Sequence, residues 1–492
     1  MISAKGAVNN MELLSFFGQV MSLNHWLVLA LFFTFVVTLF KGIPVTYGLV
    51  GTALLYAIIG GLILDPNADY INQYIQFDSS GISYKRMFVN GGRFFGGVIK
   101  NPVLVALPVF IFMGLMLDKS GTAERMMQSM QVLFGQLHGG LAITVMVIGI
   151  VLAASTGVIG ASVVLLGLMG IPTMMAQGYS KSSATGTVAA AGTLGILIPP
   201  SIMLVIMSDQ LAISLGDLFM GALLPGVMLG VLYIVYIVAK GLINPASMPV
   251  PEKVEELTFA AVKNVLKSIV PPFGLILLVL GSIFFGFATP TEAAGLGALG
   301  ATIIAFLARS LNLKVFNDSL LETLRTAGYI IGIFLAANFF AYILRRYGGD
   351  EIIANLLLES FSDPRMVICF ILFIIFLLGF ILDWIEITLI VMPLILPVIE
   401  AMALPINGFG VVESPIVVWF AILVALVLQT SFLTPPVGFA LFYLKGVCPP
   451  EISLRDIYRG IIPFVLLQCL GLVIVFLFPE IVTWLPAKTY GN

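Results

Sequence analysis

Ala189-Ala190-Ala191-Gly192-Thr193-Leu194-Gly195-Ile196-Leu197-Ile198-Pro199-Pro200-Ser201 is the stretch on which the fold turns. It lies within a run from Ser182 to Ser208 that carries no charged residue. Two successive prolines remove two N–H donors and clash with the turn before them, so the helix breaks here. Gly192, Thr193 and Gly195 just before the pair let the carbonyls splay outward. A simple kink is the alternative, and for a single proline it is the better reading; a double proline flanked by glycines and a hydroxyl points to a break.

Working upstream, Met126 to Ser180 also contains no charge. As one straight helix it would reach ~80 Å, nearly three times a hydrocarbon core of ~30 Å. The chain therefore turns back, and its middle, Ala153-Ala154-Ser155-Thr156-Gly157-Val158-Ile159-Gly160-Ala161-Ser162, is small, hydroxyl-bearing and weakly helical. That pattern predicts a re-entrant hairpin with its tip there; two full crossings are the alternative. Unpaired backbone at such a tip is tolerated only against protein or a water-filled cavity.

The constellation recurs downstream. Gly379-Phe380-Ile381-Leu382-Asp383-Trp384-Ile385-Glu386-Ile387-Thr388 interrupts an apolar run that continues to Pro393 and Pro397, and Gln429-Thr430-Ser431-Phe432-Leu433-Thr434-Pro435-Pro436-Val437-Gly438 follows. Pairing Pro172 with Pro393 gives an offset of 221, and Pro199 with Pro435 gives 236, a difference the Asn407–Pro415 loop can supply. Interrupted apolar segments at corresponding places in two halves mark a transporter built from internal repeats. Whether the repeats are inverted depends on an odd number of crossings between them, which the sequence leaves open.

Composition agrees. Of 492 residues 60% are apolar and 10% charged, too few charges to cover a water-soluble enzyme of this length. It also excludes disorder, and a net charge of −2 gives nucleic acid no purchase. Cys369, Cys448 and Cys469 have no metal-like spacing and imply neither zinc nor disulfides. Further spans are expected at Trp26–Phe40, Gly42–Leu64, Leu218–Ala239, Ser268–Thr291, Ala293–Ala308, Thr326–Leu344, Met366–Leu382, Ser414–Leu444 and Gly460–Pro479. The first apolar segment, lacking a basic n-region, reads as a retained span rather than a signal peptide. His25 and His138 are the only histidines, and no phosphate-binding glycine loop is present, which argues against an enzyme or an ATP-driven pump.

At this point the motifs resemble a known family. Leu107-Pro108-Val109-Phe110-Ile111-Phe112-Met113-Gly114, Gly178-Tyr179 ahead of Ala184, Gly195 through Ser201, Ala288-Thr289-Pro290-Thr291-Glu292-Ala293-Ala294 and Leu433-Thr434-Pro435-Pro436-Val437-Gly438 are together similar to the large membrane subunit of tripartite ATP-independent periplasmic (TRAP) transporters. The polar insertion from Asp65 to Asn101 and the Asp383-Trp384-Ile385-Glu386 variant depart from the commonest pattern. The resemblance implies an all-α, multi-span membrane protein of the elevator type, with two inverted repeats, each holding a re-entrant hairpin and a broken helix. It divides the chain into N-terminal spans and insertion (1–101), a first repeat (102–240), an amphipathic linker with scaffold spans (241–325) and a second repeat (326–492). It further implies a bacterial inner-membrane location, sodium as the coupling ion with no other cofactor, an organic anion (a carboxylate) as substrate, and two partners: a small four-helix membrane subunit and a periplasmic binding protein. Carried over to this sequence, one ion site comprises Ser155, Thr156, Gly157 and Ser162 facing Gly192, Thr193, Gly195 and Pro199. The other comprises Asp383, Glu386 and Thr388 facing Thr430, Ser431, Thr434, Pro435 and Gly438. Ser162, Ser201 and Thr434 are the expected substrate contacts.

The residue types suit that task on physical grounds. Sodium wants several oxygens, and the C-terminal end of a broken helix offers carbonyls bearing about half a negative charge. Hydroxyls at Ser155, Thr156, Ser162, Thr193, Thr430, Ser431 and Thr434 add oxygens without buried charge; the alternative for each is a bond to its own helix's carbonyls. A half-helix N-terminus can hold a carboxylate without arginine. Consistently, no Lys or Arg lies between Ser182 and Ala239 or between Met366 and Leu444. Asp383 and Glu386, three apart, share a face. Asp383 either serves the second ion site or its hairpin tip, or stands exposed at the membrane interface. Glu292 reads as a helix-start cap after Pro290. Pro251 to Ile269 reads as an amphipathic helix, acidic first and with Lys263 and Lys267 after, lying on the membrane surface or forming an ordinary loop helix. A carrier working without a binding protein, or a channel subunit, stays open as an alternative.

Overall fold

A chain segment in lipid must satisfy its own amides, and a helix does so locally. In the computed structural model every regular element among the described residues is accordingly helical. The structure describes residues 23–63, 101–156, 159–251, 258–361, 363–402 and 404–491. Most of the polar insertion, Gly157 and Val158 at the expected hairpin tip, and Glu252–Leu257 of the expected amphipathic segment lie outside them.

The helices are α1 Leu23–Phe40, α2 Val45–Ile63, α3 Pro102–Lys119, α4 Thr122–Phe134, α5 Gly140–Thr156, α6 Ile159–Ala176, α7 Lys181–Thr193, α8 Ile202–Gln210, α9 Leu215–Ile243 and α10 Phe259–Phe284. There follow α11 Pro290–Leu307, α12 Leu313–Arg346, α13 Gly349–Ser360, α14 Pro364–Leu378, α15 Trp384–Ala401, α16 Pro415–Leu433, α17 Phe439–Val447, α18 Leu454–Leu477 and α19 Glu480–Tyr490. Eight of these are long and apolar enough to cross a bilayer, and α3 with α4 would add a span bent by 53°.

Several expectations are refined. The run from Ser414 to Leu444 is two helices, α16 and α17, parted at Thr434–Gly438. The expected span Thr326–Leu344 belongs to a longer helix of 34 residues, because Lys314, Asp318 and Glu322 fall on one side and extend α12 past its apolar run. The bend at Ser120-Gly121, where Gly121 takes φ +68°, carries no proline and was not expected. Glu292 does cap a helix: its backbone N–H donates to Thr289 Oγ1 at 3.4 Å and its carboxylate accepts from the Thr289 N–H at 2.8 Å. Ser453 and Asp456 form a second such box at the start of α18.

The chain forms two compact units. One comprises the described residues within Met1–Asn101 with Ile330–Asp363 and Leu389–Ala401. In it α1 packs on α2, Phe35 meets Phe340 with ring centroids 5.3 Å apart, and Tyr347 Oη donates to the Tyr56 carbonyl at 2.6 Å. The other comprises Pro102–Tyr329, Pro364–Thr388 and Met402–Asn492. Its centre is α7, buried without interruption from Ser183 to Thr193. Around α7 stand α5, α6 and α18. Glycines set those distances. A Cβ on Gly186 would fall 2.5 Å from the Gly460 carbonyl carbon, and one on Gly149 would fall 2.6 Å from Ala191 Cβ. Backbone therefore meets backbone where α7 crosses α18.

Candidate functional site

Pro199-Pro200 and Pro435-Pro436 each follow the end of a helix in the second unit. After Thr193 the chain makes one tight turn, Leu194–Ile196, passes through Leu197 to Pro200 and restarts as α8 at Ile202. Ser201 Oγ donates to the Ile196 carbonyl at 2.7 Å and so bridges the break. Gly195, Pro199 and Ser201 are all buried, within a stretch that stays buried from Ser183 to Ser208. The second break follows α16: Thr434 lies outside the helix, Pro435 and Pro436 are exposed, and Gly438 at φ +56° starts α17. The Pro199-Pro200 and Pro435-Pro436 peptide bonds are both cis.

The hairpins meet these breaks. α5 and α6 form the first, and a Cβ on Gly192 would lie 3.0 Å from both N and Cα of Val163, so the first turn of α6 rests directly on the end of α7. Ser162, beside Val163, is buried. α5 also packs on the Leu194–Ile196 turn, and so does α16, which leads into the second break. In the second hairpin, α14 ends at Leu378 and Gly379 abuts the Ser431 side chain on α16. In each half a residue near the hairpin's turn, Val163 or Gly379, lies against the helix that ends at a proline pair.

The hydroxyls are held in one way. Thr193 donates to the Ala190 carbonyl (3.0 Å), Thr430 to Leu426 (2.8 Å), Ser431 to Leu428 (2.9 Å) and Thr434 to Thr430 (2.7 Å). A hydroxyl that gives its proton back to its own helix keeps its lone pairs for a cation. Thr430 faces an apolar groove of about 390 Å³ with Cys369, Phe376 and Cys469. Ser155 and Thr156 close α5, and Gly157 lies outside the described residues.

Asp383 caps α15, its Oδ1 accepting the Trp384 N–H at 2.8 Å. Glu386, one turn on, is 1% exposed, and its Oε2 has no hydrogen-bond partner among the described residues; the same holds for the fully buried Thr388 hydroxyl. The next five residues, Ile387–Val391, widen into a π turn, a form that recurs at functional sites. Two buried polar groups left open beside a widened turn make this the second region's strongest candidate for binding an ion.

Both hairpins reach one cavity of about 370 Å³, lined by Ile159–Ala161 and Val164 of the first, Asp383 and Trp384 of the second, and Phe439 and Tyr443 of α17. Glu322 of α12 completes its wall and is bonded to Lys119 Nζ at 2.8 Å. Sequence reasoning missed Glu322, Phe439 and Tyr443. Their signal was position: Phe439 and Tyr443 follow Gly438 directly, and Glu322 sits on an extension of α12 that hydropathy alone does not show.

The family profile described as "Tripartite ATP-independent periplasmic transporter, DctM component" matches residues 32–481. The chain is 32% identical over 416 residues to the C4-dicarboxylate TRAP transporter large permease protein DctM of Vibrio cholerae serotype O1, across 79% of this chain and 86% of that protein. It is 26% identical over 456 residues to the sialic acid TRAP transporter large permease protein SiaM of the same organism, across 92% and 97%. It is 28% identical over 452 residues to the isethionate TRAP transporter permease protein DctMQ of Oleidesulfovibrio alaskensis, across 92% and 65%. Among solved structures its fold is similar to the YdaH transporter of Alcanivorax borkumensis, with TM-score 0.59 at 14% identity over 88% of this chain and 97% of that one. At that identity the likeness speaks to the fold alone.

Proposed function

The chain belongs to the DctM component family of tripartite ATP-independent periplasmic transporters, a multi-pass membrane permease rather than an enzyme, and we propose that it imports an organic anion coupled to sodium. In this reading a periplasmic binding protein delivers the anion, a small four-helix membrane subunit accompanies the permease, and two inverted repeats work as an elevator. The relatives named for C4-dicarboxylate, sialic acid and isethionate support an anionic substrate.

The observation that carries the proposal is the cavity at the two hairpin tips. Its polar lining is Asp383, Glu322 and the Tyr443 hydroxyl, with no cationic side chain in its wall. Lys119 answers Glu322. An anion about 4 Å from the Asp383 carboxylate would be repelled by roughly 4 kcal/mol at an effective dielectric of about 20. A cation seated between them removes that penalty, which makes anion entry depend on the ion. Asp383 is thus the side chain through which sodium and substrate are coupled at the second ion site, to which the Thr434–Gly438 turn adds oxygens, while Ser162 and Gly192–Ser201 form the first.

Uptake into proteoliposomes holding the permease, its membrane partner and the binding protein tests this. A sodium gradient drives uptake, and Asp383→Asn raises the sodium concentration for half-maximal rate by about ten-fold or more, as removal of an ion's supporting ligand does. An unchanged sodium dependence removes Asp383 from the coupling site. Saturable uptake without the binding protein would favour a stand-alone carrier, and unsaturable downhill flux a channel.

A further inference from the structure

A second polar cavity lies away from the hairpins. It holds about 350 Å³ and is lined by Thr122 and Arg125 of α4, Lys267, Ser268 and the Pro271-Pro272 pair of α10, and the last turn of α11 at Ile304 and Leu307. No carboxylate lines it. The Arg125 guanidinium gives Nη2 to the Ser120 carbonyl (2.8 Å) and to Thr122 Oγ1 (3.4 Å), which fixes its plane and leaves other N–H groups to spare. Ser268 is held by Ser129, their hydroxyls 2.9 Å apart. Lys267 is exposed and has no ion-pair partner among the described residues.

Height and surroundings narrow the ligand. α11 ends at Leu307, so the cavity sits where an apolar helix gives way to polar chain, and Arg309 follows at once. Below it the outer faces of both helices are greasy: Leu266, Val270 and Phe273 on α10 and Ile303 and Phe306 on α11 are all exposed. A site with two cations and two hydroxyls at the rim and bare apolar faces beneath it matches a molecule with an anionic head and hydrocarbon tails. We propose that this cavity binds the phosphate headgroup of an anionic phospholipid, with Arg125 and Lys267 as its cationic ligands and the acyl chains lying along α10 and α11. The basic start of α10 thereby acquires a role that the transport cavity does not give it.

Native mass spectrometry of the full-length chain released from bilayers of equal phosphatidylglycerol and phosphatidylcholine tests the assignment. The unmodified protein is expected to retain phosphatidylglycerol preferentially, and Lys267→Gln to lower that preference about five-fold, the share of one interfacial cation. Lys263→Gln, outside the cavity, leaves it unchanged. Lys267 makes no hydrogen bond among the described residues that its loss would disturb, and an unaltered melting temperature for Lys267→Gln verifies that the variant is folded. Equal retention of the two lipids, or a preference indifferent to Lys267→Gln, overturns the proposal. Retention of added inorganic phosphate in place of the lipid overturns it in favour of a soluble anion.

Discussion

The two broken helices use the same chemistry in opposite surroundings. At Pro199-Pro200 every residue from Ser183 to Ser208 is buried, and Ser201 ties across the gap to Ile196. At Pro435-Pro436 both prolines are exposed and Thr434 is half-buried. The cause is packing. α7 is pressed by α5, α6 and α18 at glycines with no room for a methyl group, whereas the turn after α16 leads into α17 with only Gly438 constrained, by its positive φ and by Leu441. One break is a closed cage; the other is open on one side. Under the proposed sodium coupling, the first would hold an ion and the second would let it in and out.

This contrast can be broken, starting with the largest effect. In a variant with the three cysteines replaced by serine, a water-soluble maleimide should modify Pro436→Cys and leave Ile198→Cys untouched. Equal labelling would mean the first break is also open. Next, Gly186→Val places a side chain against the Gly460 backbone; overpacking of this kind costs about 3 kcal/mol, visible as a lowered melting temperature in detergent. A variant as stable as the parent would show that α7 and α18 can part. Gly438→Ala should lose about 1–2 kcal/mol, since its backbone is left-handed, and should slow uptake more than it lowers melting. Smallest is the pair Ser201→Ala and Thr434→Ala. The first leaves the buried Ile196 carbonyl without that donor and costs about 1 kcal/mol; the second, at a half-open turn, costs a few tenths. Equal losses would erase the distinction between cage and opening.

The breaks themselves were legible in the sequence, because a proline pair within an uncharged run has few readings. Yet the pair alone does not decide: Pro271-Pro272 lies inside the continuous helix α10. Its flanks, Lys267-Ser268-Ile269-Val270 before and Phe273-Gly274 after, differ little in type from those of Pro435-Pro436. What differs is the tertiary setting, which residue types near a proline do not encode. The first hairpin was signalled by small, hydroxyl-bearing residues between α5 and α6, and the second by Asp383 and Glu386 interrupting an apolar run. The cavity wall was not. Glu322 reaches it from α12 and Tyr443 from α17, elements far apart in sequence from the tips they join. Thr430 shows the converse: a hydroxyl in the right cluster whose helical phase carries it to an apolar groove.

The crossing of α7 and α18 at Gly186 and Gly460 has a mechanical consequence. With peptide planes in direct touch and only the Thr185 hydroxyl beside them, there is no layer of side chains at that point to act as a lubricant, which opposes sliding or rotation of one helix past the other. Under the proposed elevator, whatever displacement moves α7 must therefore take α18 along as freight, and any motion assigned to the hairpin alone would have to shear main chain against main chain.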